Sequence, residues 1–304
     1  MSKKRALILL NESAGKKKGP QGILSIIERT AREGYDPVVY PIIPGEINSE
    51  DVLGEYDGET GLVICIGGDG TLNHVVGAIM NKSYRPVVGY IPAGSTNDFS
   101  KSLGIPANLN KALDLIFTAG DYKYDVGGFN DRYFNYTAAF GAFSEVSYAT
   151  DQKLKNVLGY AAYVLNGAAN LYQNLSFKRH MVIDADDFHE EGEYVFGTVS
   201  NSVSIGGMSF LSNYDVKLDD GKMELLLVKA PRRFSELGNI ISALMKGDVS
   251  DPHISFRQIT HASFRSDEGV AWSVDGECGG TNTYTEIRVM HKAIAIRSSN
   301  KTNE

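Results

Sequence analysis

Hydrophobic and polar positions in the first part of the chain follow two different periods. The predicted strands lie at 6–10, 37–43, 61–66 and 86–91, and the predicted helices near 23–31, 72–80 and 108–117. The run Leu62-Val63-Ile64-Cys65-Ile66 is apolar on both faces, which is typical of a parallel strand covered by helices. Apolar residues at i, i+3, i+4, i+7 and i+8 give the first two helices. This alternation predicts an α/β domain with a parallel sheet.

Beyond about residue 125 the pattern changes to short strand candidates separated by Gly, Asp and Asn. These candidates lie at 133–139, 181–185, 194–200, 223–229 and 262–265, and a helical pattern over 154–175 interrupts them. Short strands with turn residues between them predict a β-rich, antiparallel, sandwich-like domain. We therefore expect two domains, 1–124 and 125–304, with a last strand at 292–296 that can return to the first.

The bulk composition limits the classes of function. The chain has 304 residues and a formal net charge of −7, which argues against a general nucleic-acid-binding protein. Its two cysteines, Cys65 and Cys278, cannot form a disulfide framework or a structural zinc site by themselves. No uninterrupted apolar stretch approaches the roughly 18 residues of a membrane-spanning helix. We expect a soluble, cytoplasmic protein.

Charge is unevenly distributed near the N-terminus. Residues 3–5 and 16–18 are basic, whereas 46–59 is rich in acidic residues. Such runs are usually solvated surface. The other interpretation is that the basic residues contact phosphate or an anionic membrane surface.

A glycine-rich segment, Gly67-Gly68-Asp69-Gly70-Thr71-Leu72-Asn73, joins the third predicted strand to the next helix. Glycines permit positive φ and let the backbone approach a ligand closely. A helix that starts near Thr71, with Thr71 as a candidate cap, offers N–H groups and a positive dipole end. The segment therefore predicts a phosphate site, although Gly-Asp-Gly alone is also an ordinary tight turn. The sequence contains neither a P-loop nor a complete Rossmann fingerprint.

Further motifs occur in a fixed order along the chain. They are LNESAG at 10–15, GGDGTLNHVVGAI at 67–79, PAGSTNDFSKSLGIP at 92–106, NYDVKLDDG at 213–221 and VDGE at 274–277. Together they resemble the catalytic domain of the diacylglycerol kinase family, which bacterial lipid kinases and sphingosine and ceramide kinases share. The resemblance extends over nearly the whole chain. It implies an α/β nucleotide domain, a β-rich domain and an active site in the cleft.

The resemblance also implies roles for individual residues. The implied ATP-binding residues are Asn11, Glu12, Ser13, Ala14, Gly15, Gly67, Gly68, Asp69, Gly70, Thr71, Leu72, Asn73 and Ser95. Glu277 corresponds to the catalytic base, with Asp69 and Asp275 nearby in the catalytic site. Because Mg²⁺ prefers hard oxygen ligands, Asp69 and Asp275 could hold the catalytic Mg²⁺. A structural Mg²⁺ would be held by Asp220 and by the backbone carbonyls of Lys217 and Lys222.

The chain departs from the family pattern at several positions. Glu12 stands in place of a proline, Ser95 in place of a threonine, and Tyr214 in place of a second proline. The end of the second strand, Tyr40-Pro41-Ile42, lacks the threonine often found there. These changes bear on nucleotide affinity and leave the carboxylates intact.

The resulting hypothesis is an ATP- and Mg²⁺-dependent lipid kinase that acts on diacylglycerol or a related lipid alcohol at the membrane surface. Glu277 would accept the proton of the lipid hydroxyl during in-line transfer. An NAD kinase also carries GGDGT but differs at the second and last motifs, and a non-catalytic nucleotide- or lipid-binding homologue is the third reading. Phe140, Phe143 and the 158–175 helix are either core-packing elements or lipid contacts. Residues 201–208 form either part of the wall of the lipid cleft or an ordinary turn at a strand end. The lipid and the oligomeric state, a homodimer included, stay open.

Overall fold

A computed structural model describes residues 4–11, 22–94, 97–141, 178–202, 214 and 216–300. Several predicted features lie outside these residues, namely Glu12, Ser13, Ala14, Gly15, Ser95, Phe143, the helix at 154–175 and residues 203–208. The chain divides into two units. One consists of 1–126 and 290–304, and the other of 127–289. The chain passes from the first unit to the second after residue 126, close to the predicted boundary at 124. It returns to the first unit at residue 290.

The first unit is an α/β structure in which strands pair in parallel. Its strands are β1 Arg5–Asn11, β2 Asp36–Ile42, β3 Thr60–Gly67 and β4 Val87–Pro92, and its helices are α1 Ile23–Arg32, α2 Ser49–Glu55, α3 Asp69–Met80, α4 Asp98–Ser102 and α5 Leu109–Thr118. Strand β1 pairs in parallel with β2 and β3, and β3 pairs in parallel with β4. Residues Ala6 to Leu9 of β1 are 0% exposed, as expected of a strand covered on both faces.

Two short helices of this unit, α2 and α4, are absent from the sequence-based prediction. The first is capped by Asn48, whose side-chain oxygen accepts a hydrogen bond from Asp51 N at 2.9 Å. It has seven residues, so its apolar positions do not repeat often enough to show a helical period. No helix in the described ranges is long and apolar enough to cross a membrane.

The second unit is β-rich, and its strands pair in antiparallel fashion. Its strands are the end of β5 Asp121–Phe129, β6 Arg132–Phe134, β7 Thr137–Gly141, β8 Arg179–Ala185, β9 Phe188–Ser200, β10 Met223–Lys229, β11 Ile254–Ile259, β12 His261–Val274 and the start of β13 Glu277–Arg297, and it contains helix α6 Phe234–Lys246. The strand order β11-β10-β9-β7-β12-β13 runs across this unit, and β8 pairs with both β9 and β12. The sequence did not predict α6.

The long hairpin of β12 and β13 is only partly visible in the sequence pattern. The sequence predicts strands at 262–265 and 292–296, whereas the hairpin strands have 14 and 21 residues. Register shifts occur between Arg265 and Val270, where the polar run Ser266-Asp267-Glu268 interrupts the apolar pattern. The end of β13 lies in the first unit, where Ile296 pairs in parallel with Val88 of β4.

The core of the second unit is built around Trp272, the only tryptophan in the chain. Its ring meets Phe129, Phe140 and Phe264 edge-on, with centroids at 5.3, 4.9 and 5.1 Å. Such edge-to-face pairs are favourable beyond the burial of their area. Phe140 is 1% exposed. It therefore packs in the core, which settles one of the two readings that the sequence left open for it.

Candidate active site

The glycine turn of the first unit lies where β3 and β4 end side by side. Gly67 pairs with Pro92, and the Gly67 carbonyl accepts a hydrogen bond from Ala93 N at 2.7 Å. A Cβ added at Gly94 would lie 2.6 Å from the Cα of Gly68, and one added at Gly67 would lie 2.5 Å from the Thr71 side chain. Gly68 has φ of −87° and does not need the left-handed region. These glycines are therefore required for close backbone approach rather than for positive φ.

Helix α3 begins immediately after this turn, at Asp69, with Gly68 as its N-cap residue. The sequence placed the start near Thr71 and made Thr71 the cap. In the structure Thr71 lies inside the first turn of the helix, and its hydroxyl oxygen accepts a hydrogen bond from Asn11 Nδ2 at 2.8 Å. This bond joins the end of β1 to the first turn of α3. The N-terminus of this 12-residue helix presents backbone N–H groups and the positive dipole end that suit an anion.

Asp69 connects the glycine turn to the second motif. Its side chain is 9% exposed, and its Oδ2 accepts a hydrogen bond from Asp98 N at 3.0 Å. The residue before Asp98, Asn97, has φ of 47° and bonds Gly94 through its side chain, accepting from the N–H at 2.8 Å and donating to the carbonyl at 2.9 Å. The motifs that the sequence treated separately therefore form one hydrogen-bonded surface in the first unit.

In the second unit, the Asp-Gly turn between β12 and β13 positions Glu277. Asp275 and Gly276 have φ of 48° and 82°, and Val274 pairs with Glu277 across the turn. Two successive positive φ values are the signature of a type I′ hairpin turn, which Asp-Gly favours. Glu277 is exposed and is the first residue of β13. Its side chain is thus presented at the turn of the β12–β13 hairpin.

The Asp275 carboxylate is committed to backbone N–H groups. Its Oδ2 accepts from Asn135 N at 2.7 Å, and its Oδ1 accepts from Tyr136 N and Thr137 N, both at 3.0 Å. The residue is 3% exposed, and its own N–H donates to the Thr137 carbonyl at 2.8 Å. Bonds between an ionised acid and backbone amides are among the strong ones in proteins. They anchor the turn that carries Glu277 to the segment before β7.

The segment before β10 contains the residues to which the resemblance gave a structural cation. Asp220 is exposed, and its Oδ1 accepts a hydrogen bond from Lys222 N at 3.0 Å. Gly221 between them has φ of 80°. Among the described residues no group of three or more His, Cys, Asp or Glu side chains is arranged to hold a metal. A cation here would therefore need backbone carbonyls and water in addition to carboxylates.

Sequence reasoning missed Glu224, a buried acid that lies in β10, two residues after Lys222. It is 2% exposed, and its Oε1 accepts a hydrogen bond from Gln258 Nε2 at 3.3 Å. Burial raises the pKa of Glu224 to about 7, and the nearby Asp220 carboxylate also raises it, while the Gln258 hydrogen bond lowers it. A signal was available, since Glu224 is the single charged residue in the apolar run Met223 to Val228.

Glu224 faces a pocket of about 610 Å³ in the second unit. The pocket is lined by Tyr214, Lys217, Asp220, Lys222, Glu224, Phe256, Arg257 and Gln258. Three of these residues, Lys217, Asp220 and Lys222, are the ones that the resemblance assigned to a metal. The rings of Tyr214 and Phe256 are 4.5 Å apart at one side of the pocket.

The structure thus groups the predicted site residues in two sets. Asn11, Gly67 to Asn73 and the Asp98 segment belong to the first unit, whereas Asp220, Asp275 and Glu277 belong to the second. Glu12, Ser13, Ala14, Gly15 and Ser95 lie outside the described residues. His74, on α3, is exposed.

Comparison with known proteins places the chain in a family. Residues 5–129 match the diacylglycerol kinase catalytic domain. The chain is 34% identical over 283 residues to the diacylglycerol kinase of Staphylococcus aureus strain MRSA252, covering 91% of this chain and 87% of that protein. The diacylglycerol kinase of the bovine strain RF122 / ET3-1 matches with the same identity and coverage.

Solved structures show the same fold. A crystal structure from Bacillus anthracis str. Sterne superposes with a TM-score of 0.81 and 24% identity, over 98% of this chain and 96% of that chain. A diacylglycerol kinase structure from the same strain gives 0.75 and 20%, over 98% of both chains. The identity to the Staphylococcus proteins and its extent establish that the chain belongs to the diacylglycerol kinase family, which is a family of lipid kinases.

Proposed function

We propose that the chain transfers the γ-phosphate of ATP to the hydroxyl group of a lipid, diacylglycerol or a related lipid alcohol. The observation that carries this proposal is the strand–turn–helix at Gly67 to Asn73, where a backbone-lined helix N-terminus is tied to a second motif through Asp69. Family membership over 91% of the chain supports the choice of a lipid acceptor. Such an enzyme would meet its substrate peripherally, at a membrane surface.

In the first unit, the N–H groups at the start of α3 would hold nucleotide phosphates. Gly68 and Gly94 carry no side chains, so their backbones lie close together beside the start of α3. Asn11, which bonds Thr71, would fix the edge of the same surface. Asp69 has one oxygen on Asp98 N and is the acid of this unit that we assign to a catalytic Mg²⁺, whose chemistry is to neutralise the phosphate charge.

In the second unit, Glu277 is the residue that we assign as general base. It is exposed and can reach a substrate hydroxyl, whereas the neighbouring acid Asp275 is buried and bonded to three amides. We therefore assign Asp275 to positioning the turn instead of to the metal role that the sequence suggested. The difference between the two acids follows from their hydrogen bonds.

The residues at 217–222 fit a hard cation such as Mg²⁺. The donor set is made of oxygens, namely the Asp220 carboxylate and backbone carbonyls, and one buried carboxylate oxygen of Glu224 has no hydrogen-bond donor among the described residues. Oxygen-only surroundings are those that Mg²⁺ and Ca²⁺ take. We propose that Asp220 and the carbonyls of Lys217 and Lys222 hold a cation that stabilises this loop.

The direct test is phosphate transfer from radiolabelled ATP in the presence of Mg²⁺ to lipids in mixed micelles. The panel includes diacylglycerol, monoacylglycerol, sphingosine, ceramide, phosphatidylglycerol and undecaprenol. NAD in a parallel reaction tests the kinase that shares the GGDGT turn. Labelled NAD without labelled lipid would replace our proposal with an NAD kinase. ATP binding without transfer to any acceptor would favour a non-catalytic homologue.

Glu277→Gln should lower kcat on the order of 10²–10⁴-fold, because it removes the proton acceptor while keeping the size of the side chain. The matched control is Glu268→Gln, which removes another exposed acid from the β12–β13 hairpin and should leave kcat unchanged. Trp272 fluorescence verifies that both variants are folded, since this ring is buried in the same unit. A fully active Glu277→Gln variant would remove Glu277 as the base without touching the assignment of the kinase.

A further inference from the structure

We propose that Glu224 is a cation-holding residue of the 217–222 loop, its buried Oε2 facing a hard divalent cation or a water bound to that cation. The inference rests on the cation site proposed above and extends it to a residue that the motif does not include. It concerns one side chain in β10, on the face of the sheet that lines the pocket.

The burial of Glu224 requires an explanation. A carboxylate that is 98% shielded from water is costly unless it is paired, hydrogen-bonded or bound to a metal. Its partner is Gln258, a neutral amide at 3.3 Å from Oε1. In the described part of the chain, Oε2 is buried and receives no hydrogen bond, and no Lys, Arg or His forms an ion pair with this carboxylate. The carboxylate therefore lacks the positive charge that its position calls for.

Glu224 lines the same pocket as Lys217, Asp220 and Lys222 of the 217–222 loop. Cross-strand pairing places Glu224 between Ser200 of β9 and Gln258 of β11, in one row on one face. Ser200 is 0% exposed, and its hydroxyl also has no partner in the described ranges. Neighbours in such a row have Cβ atoms about 4.5–5.5 Å apart. Two polar groups with unused hydrogen-bonding capacity thus lie side by side, as expected beside a bound ion with its water.

The second carboxylate of the pocket belongs to Asp220, which commits one oxygen to Lys222 N. Two ionised carboxylates that line one pocket repel each other, and a cation between or beside them removes that repulsion. The pocket lining also includes Lys217, Lys222 and Arg257, but in the described part of the chain none of them donates a hydrogen bond to Oε2 of Glu224. A small cation would supply the positive charge beside this oxygen, which receives no hydrogen bond from the described residues.

The nature of the donors defines the class of cation. Carboxylate, carbonyl, hydroxyl and water oxygens select Mg²⁺, Ca²⁺ or Mn²⁺, whereas thiolate and imidazole ligands, which favour Zn²⁺, are absent from this pocket lining. Glu224 sits behind Asp220 in the chain and deeper in the protein. Its contribution is to hold the ion, or the water on the ion, from the buried side, in the way that outer residues orient metal sites.

The experiment measures cation binding to the full chain without nucleotide. Mn²⁺ is titrated and followed by electron paramagnetic resonance of the free ion, and the rise of Tm with Mg²⁺ is recorded by differential scanning fluorimetry. Glu224→Gln keeps the side-chain volume and the acceptor for Gln258. We expect it to weaken Mn²⁺ binding by about 10–100-fold and to remove most of the Mg²⁺-dependent rise in Tm. Without metal, its Tm should equal or exceed that of the wild-type chain, because an uncompensated buried charge has been removed.

Two further variants separate the possible failures. Asp220→Asn should abolish binding at this loop, and Glu286→Gln, an acid of the same unit outside the pocket lining, should leave binding unchanged. If Asp220→Asn loses Mn²⁺ but Glu224→Gln binds like wild type, the inference on Glu224 is wrong and the loop site stands. If both variants bind like wild type, the loop is not a cation site. Lipid phosphorylation, measured separately, decides the kinase proposal independently of either result.

Discussion

Several carboxylates of this chain accept hydrogen bonds from backbone N–H groups. Asp69 accepts from Asp98 N, and Asp275 accepts from three successive amides. Asp186 repeats the arrangement elsewhere in the second unit, with φ of 45° and bonds from Thr260 N, Thr260 Oγ1 and His261 N. At the residue scale, the acids in motifs therefore divide into those that fix loops and those, such as Glu277, that are presented to a substrate.

Replacing Asp275 by Asn tests this division. The amide nitrogen of Asn would face the N–H donors of 135–137 with a donor of its own, so we expect a loss of about 1.5–3 kcal/mol in unfolding free energy. Urea unfolding followed by Trp272 fluorescence gives that value. As a positioning residue, Asp275 should affect kcat and leave the Mg²⁺ concentration for half-maximal activity unchanged. A large increase in that concentration would instead make Asp275 a metal ligand.

The control for this variant is Asp186→Asn. It breaks the same kind of amide bonds at a turn of the second unit, between β8 and β9. Because Asp186 is exposed, its replacement should cost less stability than that of Asp275, and it should leave the kcat of the folded protein unchanged. A similar fall in kcat for both variants would mean that activity follows stability alone.

At the scale of elements, the contact between the glycine turn and the end of β4 decides the shape of the phosphate surface. Gly94→Ala places a Cβ 2.6 Å from the Cα of Gly68, which forces the two segments apart. We expect the free energy of unfolding to fall by about 1–3 kcal/mol and the KM for ATP to rise.

The control is Gly77→Ala, in the interior of α3, where the added Cβ meets nothing within 4 Å and should stabilise the chain by about 0.5–1 kcal/mol. Thermal unfolding and the KM for ATP are measured for both variants. Gly94→Ala reports the effect of steric crowding, and Gly77→Ala reports the effect of helix propensity alone. An unchanged KM for Gly94→Ala would contradict the proposed phosphate surface.

The same elements show how far the sequence can be used. The buried strand β3 and the helix after it were predictable, because the apolar residues follow a regular period and the glycines mark the boundary between the two elements. The conformation of the turn was not, since close approach of Gly68 to Gly94 joins residues distant in sequence. Glu224 was missed for a related reason. A single acid in an apolar run gains meaning only when β9 and β11 are known to flank it.

For the whole molecule, the surface acids make stability depend on pH. Hydrogen bonds from Arg288 and then His261 lower the pKa of Glu286 below its ordinary value of 4.5. A lowered pKa in the folded state means that the stabilisation is present above the unfolded value and is lost as the pH falls through the folded value. Hydrogen bonds from His189 lower the pKa of Asp184 in the same unit and act in the same direction. The second unit should therefore lose stability in acid.

Glu286→Gln isolates one such contribution. At pH 7 the variant should unfold at a lower urea concentration than wild type, and the gap should narrow as the pH falls below about 4.5. Asp267→Asn is the matched control for removing one exposed acidic charge from the same unit. Trp272 fluorescence follows the unfolding of this unit in all three proteins. If the difference in urea midpoint between wild type and Glu286→Gln grew as the pH fell, the pKa of Glu286 would be raised in the folded state and not lowered.

The return of the end of β13 to β4 determines the order in which the chain can finish folding during synthesis. Residues 127–289 are inserted within the first unit, and Ile296 pairs with Val88 only after they have been made. Asp125, which is 0% exposed, accepts from Lys292 N at 2.6 Å and so gains this bond equally late. Domains generally fold as units in the order in which they leave the ribosome. Here the first unit emerges first, but one edge of its β4 strand stays unpaired until the end of β13 has been synthesised. The first unit is therefore the last to be completed.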